Sequence, residues 1–206
     1  MTSFHFYFSV CLLLPTLNWR TSTGLPVPNL SADNKNCASL FKSLLLNVAE
    51  LLSSEDLCHG LIPSNEMTMW SSDTVQACAP NLTQNSSCMM QRNSSFSESE
   101  CLRSIIKDLA YYKASIQHYL QSDLNMRDKE VPLLTPTVEI IEALIKNCSL
   151  MANGENSFSE TVAANMWKED SYKNRQKMCK MMRGFHVRAI TINRAMGYIS
   201  SGDHRK

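Results

Sequence analysis

Apolar or small residues recur along the last long stretch of the chain, at Met178, Met182, Phe185, Ala189, Ile192, Met196 and Ile199, in steps of four and three. That rhythm puts them on one stripe of an α-helix and predicts a helix over 171–199 whose stripe faces a core. A second line, Val187, Thr191, Arg194 and Tyr198, keeps the same rhythm on another side of the cylinder. Such a line is solvated surface on most helices. Here apolar and aromatic side chains accompany an arginine, the mixture enriched at the centres of protein interfaces, so this side is expected to face a partner.

The same period predicts three earlier helices. Phe41, Leu44, Leu45, Val48, Leu51 and Leu52 share one face of a helix over 37–52, with Lys42, Asn47 and Glu50 outside it and Ser31, Asp33 or Asn34 available as caps. Leu102, Ile105, Ile106, Leu109, Tyr112, Ile116, Tyr119 and Leu120 mark a second helix over 98–121, with Tyr111 read as its edge. Thr135 as cap and Pro136 at the first helical position open a third, over 136–152, which carries Val138, Ile141, Leu144, Ile145 and Cys148 and is stopped by Asn153-Gly154.

Between these helices the connections are unequal. From Ser53 to Ser97 no period survives, the connection over 122–134 is shorter, and 155–170 forms a second crossover. A 16-residue helix is about 24 Å long, so only a long crossover returns the chain to the starting end and lets the next helix run parallel. Two long connections around a short one predict an all-α, up-up-down-down four-helix bundle with two long crossover loops.

The N-terminal run from Phe4 to Leu17 is apolar and yields to small residues by Gly24, so residues 1–24 read as a secretory signal peptide and residues 25–206 as one bundle domain. The run is short for a membrane span, and a secreted, extracellular product with no membrane insertion is expected. Sequons at Asn29, Asn81, Asn85, Asn93 and Asn147 fit that route, and the group from Asn81 to Asn93 should mark an exposed loop. At Asn147 the middle position is Cys148, whose disulfide would compete with glycan transfer. With 20 basic and 19 acidic residues, the chain has no field for nucleic acid.

Eight cysteines, one of them Cys11 in the leader, leave an odd number in the mature chain, which points to a free or intermolecular thiol. The proposed bundle puts Cys58 and Cys179 at one end and Cys37 and Cys148 at the other, so each pair can bridge. The crossover brings Cys78 back toward Cys101, while a short hairpin bridge from Cys78 to Cys88 is the competing arrangement. In the first of these, Cys88 remains alone in the glycan-flanked loop.

Catalytic chemistry finds no foothold. His5, His59, His118, His186 and His204 are scattered without a second ligand at metal spacing, and six glycines leave little material for phosphate-cradling loops. No nucleophile elbow or paired-carboxylate motif occurs, so neither an enzyme nor a cofactor is expected. Met178, Met181 and Met182 read as core filling.

The stretch SYKNRQKMCKMMRGFHVRAITINRAMGYIS, with VQACAPNLTQNSSC, CLRSIIKDLAYY and the early LPVP, resembles the interleukin-12 alpha-subunit family of long-chain four-helix cytokines. The resemblance spans most of residues 25–201 and is most specific in the last helix. It implies a cytokine subunit held by a soluble, receptor-like beta subunit through packing and an interchain disulfide, and engaging an interleukin-12-type cell-surface receptor in immune signalling. Carried over by position, Cys88 matches the interchain cysteine, Arg194 the arginine buried in the beta subunit, and Tyr172 a receptor-contact tyrosine, with burial in the bundle as the alternative role for Tyr172. In the familiar mammalian pattern the counterpart of Cys37 pairs with a cysteine lying between the positions of Cys88 and Cys101, which this chain lacks. A Cys37–Cys148 bridge is expected in its place, with Cys37–Cys88 as the alternative. A free-standing interleukin-6-type helical cytokine is the competing reading, against which stand the odd cysteine and the Arg194 line. A secreted lipid carrier, which would need an enlarged apolar cavity, is a further one.

Overall fold

The computed structural model describes residues 32–54, 56–61, 66–79, 82–83, 91–92, 96–124, 126–148 and 162–202. The leader, Cys88, the sequons at Asn29, Asn81, Asn85 and Asn93, and the Asn153-Gly154 stop lie outside the described residues. Four long helices dominate: α1 (Ala32–Ser53), α3 (Glu98–Gln121), α4 (Arg127–Cys148) and α5 (Ser171–Ser201). Between α1 and α3 come a short helix, α2 (Thr74–Ala77), and a two-residue antiparallel pair, β1 (Leu82–Thr83) with β2 (Gln91–Arg92). The crossover expected to be irregular therefore carries local structure of its own.

Local chemistry explains where the helices begin. Ser97 Oγ accepts the Glu100 N–H (3.3 Å), with Glu98 and Glu100 in the first turn of α3 against the positive end of its dipole. Asp170 Oδ1 accepts the Lys173 N–H (3.0 Å) at the start of α5, a bond that holds its carboxyl below the usual range. Gly202, at φ 69°, closes the other end in the left-handed conformation.

Helix α4 begins at Arg127, eight residues before the expected Thr135 cap. Thr135 Oγ1 donates back to the Val131 carbonyl (2.8 Å), and Pro132 and Pro136 both lie inside the helix. Burial overrides the local signal here. Leu134 is fully buried, and the buried Glu130 accepts the Tyr119 hydroxyl (2.6 Å) and faces Arg175 Nε at 3.6 Å. Both contacts require the helix to have started already.

Contacts between helices fix their directions. Asn193 donates to the Phe41 carbonyl (2.9 Å) while Cys58 joins Cys179, so α1 and α5 are antiparallel. Thr137 donates to Asn47 Oδ1 (2.7 Å) while Cys37 joins Cys148, so α1 and α4 are antiparallel too. Lys113–Glu142 (3.0 Å) and Tyr119–Glu130 oppose α3 to α4 in the same sense. Helices α1 and α3 therefore run one way and α4 and α5 the other, the up-up-down-down arrangement.

The core is built from Phe41, Leu44 and Val48 of α1, Ile105, Leu109, Tyr112 and Ile116 of α3, Leu134, Ile141 and Leu144 of α4, and Met178, Met182, Phe185 and Ile192 of α5. Tyr112 stacks on Phe185 with ring centroids 4.0 Å apart. Tyr111, expected at the edge of α3, is only 5% exposed, because Trp70 from the crossover stacks on it at 3.9 Å. Among the described residues, three disulfides pin helix ends and crossover: Cys37–Cys148 and Cys58–Cys179, each with Cα atoms 5.6 Å apart, and Cys78–Cys101 at 4.6 Å.

Candidate partner-binding face

Helix α5 meets the core along one side and the first crossover along a second. On the second side Lys180, Gly184, Val187, Thr191, Arg194 and Tyr198 follow one another in steps of three and four. The crossover lies over the first two of these. The Thr68 N–H donates to the Lys180 carbonyl (3.1 Å), and the Lys180 ammonium pairs with Glu66. Only a glycine allows this approach at position 184, since a Cβ there would stand 2.2 Å from the Thr68 carbonyl oxygen.

Just beneath, a buried polar cluster locks the same strap. Arg188 Nε lies 3.2 Å from Asp108 Oδ2, Arg188 Nη2 donates to the Trp70 carbonyl (3.0 Å), and Thr74 Oγ1 donates to Asp108 (2.7 Å). Asp108 and Arg188 are both buried, and burial pushes the Asp108 carboxyl above the ordinary range against the opposing pull of Ser72, Thr74 and Arg188. The ion pair thus joins α3, α5 and the crossover at one point.

Past Gly184 the stripe emerges into solvent. Val187 is 37% exposed, Arg194 is exposed, and Thr191 is half-buried with its hydroxyl donated to the Val187 carbonyl (3.2 Å). Tyr198 is half-buried, its ring set edge-on against Phe96 at 5.2 Å. The structure therefore brings all four residues onto one accessible line. Tyr172, 44% exposed, stands in the first turn of α5, about 33 Å along the helix from Arg194.

Two residues absent from the sequence reading join this face. Met67 (50% exposed) and Met69 (41%) project from the strap, and Met69 Cγ lies only 3.2 Å from where a Gly184 Cβ would be, one turn before Val187. Exposed methionines at the strap, one of them against Gly184, extend the line of α5 with adaptable apolar surface. The sequence signal was there, in Met67-x-Met69-Trp70 interrupting a polar loop.

Among the described residues no group of three His, Cys, Asp or Glu side chains is placed to hold a metal, and no helix is long and apolar enough to cross a membrane. A cleft of about 60 Å³ between the Cys37–Cys148 end of the bundle and Met196 and Ile199 is far below what a lipid tail requires.

Known proteins supply the same reading. A family model described as interleukin-12 alpha subunit matches residues 5–202. Interleukin-12 subunit alpha of Cervus elaphus is 27% identical over 208 residues, covering 84% of this chain and 86% of its own length. The Bos taurus protein of the same name is 28% identical over 215 residues (87% and 90%), and that of Canis lupus familiaris 27% over 215 residues (91% of each). An all-helical bundle with an exposed last-helix line, matched along nearly its whole length, leaves one assignment: the chain belongs to the interleukin-12 alpha subunit family, as a cytokine subunit and not an enzyme.

Proposed function

We propose that this chain is secreted as the alpha partner of a disulfide-linked, interleukin-12-type heterodimer, whose second member is a soluble receptor-like beta subunit. The observation that carries the reading is the exposure of Arg194 on the Val187–Tyr198 line, on a helix whose other sides meet the core and, at Lys180 and Gly184, the crossover. A guanidinium there offers a planar fork for a carboxylate at the bottom of a partner pocket, with Val187 on the same line and Met67 and Met69 at the strap beyond it supplying apolar contact. Cys88 forms the interchain bond, and the crossover that holds it is the one strapped beside this face. Tyr172, at the far end of α5, engages a cell-surface receptor, and the separation lets receptor and beta subunit bind at once.

Co-expression with a beta-type subunit tests the reading. Arg194→Ala should weaken non-covalent pairing by about 2 kcal/mol or more while leaving thermal unfolding of the isolated chain unchanged, because the side chain is exposed. Cys88→Ser should abolish the covalent heterodimer on a non-reducing gel. An unchanged affinity removes Arg194 from the interface, and a persisting covalent dimer assigns the link to another cysteine.

A further inference from the structure

Asn147-Cys148-Ser149 is a sequon whose middle residue is half of a disulfide. Cys148 closes onto Cys37 across 111 residues of chain, and both half-cystines are buried. Asn147 lies in the last turn of α4 with its side chain exposed and its carbonyl oxygen 3.7 Å from the Cys37 sulfur. A cystine sulfur carries no proton, so this approach is packing rather than a hydrogen bond. It presses the start of α1 against the peptide of Asn147 itself.

Glycan transfer needs these residues in another state. The Asn147 amide nitrogen must form a bond to the anomeric carbon of a lipid-pyrophosphate-linked oligosaccharide as the carbon–oxygen bond to the pyrophosphate breaks. One amide proton goes to a base, and the lipid pyrophosphate leaves. To be reached, the acceptor peptide must lie open in the transferase groove. A backbone held in helical hydrogen bonds, with the next side chain bonded to a second helix, cannot enter it. The competing step takes two electrons and two protons from the Cys37 and Cys148 thiols and delivers them to the disulfide of a secretory-pathway oxidoreductase, which becomes a dithiol.

We propose that closure of Cys37–Cys148 forecloses glycosylation of Asn147, so that the timing of the disulfide sets whether this asparagine carries a glycan. Once the bridge is closed, Asn147 stays bare for the life of the protein. A glycan added earlier remains outside the bundle, because the side chain points to solvent, and both products fold. The order of two covalent events thus divides the secreted chain into two glycoforms.

The test is glycopeptide mapping of the full-length chain, cell-associated plus secreted, from a cell line that glycosylates. Cys37→Ser leaves the sequon intact and frees Cys148. Occupancy of Asn147 should rise roughly threefold or more, because thiol oxidation takes seconds to hours and no longer limits the open period. Cys58→Ser removes the Cys58–Cys179 bridge, destabilising the bundle without releasing Cys148, and occupancy of Asn147 should stay at the wild-type level. No rise in Cys37→Ser overturns the proposal. So does an equal rise in Cys58→Ser, which would trace the effect to slow folding, or full occupancy in the wild-type chain.

Discussion

Asp108 and Arg188 illustrate how much a single pair of side chains can hold in place. Both are buried, 3.2 Å apart, and their remaining bonds go to Thr74 and to the Trp70 carbonyl. Removing one partner strands the other charge in a medium that cannot solvate it, so Asp108→Ala should cost about 3–5 kcal/mol in urea denaturation. Replacing both, Asp108→Leu with Arg188→Met, should recover most of that loss. A double variant as unstable as the single one would show that the pair contributes through the strap's hydrogen bonds alone. Nothing in the sequence singled out this pair, since one charge among apolar residues reads as a solvated face until a partner on another helix is known. The Arg194 line was legible for the opposite reason, because a periodic run of exposed interface-type residues needs no distant partner to be seen.

At the scale of elements, legibility followed local strength. The start and end expected for α3 coincide with Glu98–Gln121, where Ser97 and two glutamates declare the N-terminus. The start of α4 was read late, because Thr135-Pro136 is a sound local signal that burial of Glu130 and Leu134 overrides. The strap's apolar residues stood out in the sequence, but its contacts were illegible. Its hydrogen bond from Thr68 to Lys180 and its ceiling over Gly184 join segments more than a hundred residues apart. Gly184→Ala puts a methyl group into the Thr68 carbonyl, and the strap or the helix must move. A loss of about 1–3 kcal/mol is expected in thermal denaturation, together with faster proteolysis at 66–70. Unchanged stability would mean that the strap yields without cost.

Among the described residues three tyrosines of the bundle are buried, Tyr111, Tyr112 and Tyr119, and burial raises the hydroxyl pKa of each. Tyr112 is pushed up to about 12 from an ordinary 10.0, by burial first and by nearby Asp108 in addition. An acid whose folded pKa is raised contributes fully below its unfolded pKa and loses that contribution as pH climbs through the folded one. Stability should therefore fall between about pH 10 and pH 12, by about 3 kcal/mol for Tyr112 alone. Tyr112→Phe should show a shallower alkaline decline when unfolding is followed across that range, and an equal slope would assign the loss elsewhere. The overall topology could be read from loop lengths and cysteine positions, because both are set by distances that helices of known rise must span.

The strap also gives the molecule a clock. Trp70 is made first, and the arginine that donates to its carbonyl comes 118 residues later. Until α5 has emerged, nothing closes Gly184 under Thr68 or sets Met69 against it. Contacts so distant in sequence form slowly, because closing long loops comes before any reward. The strapped side of α5 thus forms only after both segments are made, and a copy that lacks α5 has no such face.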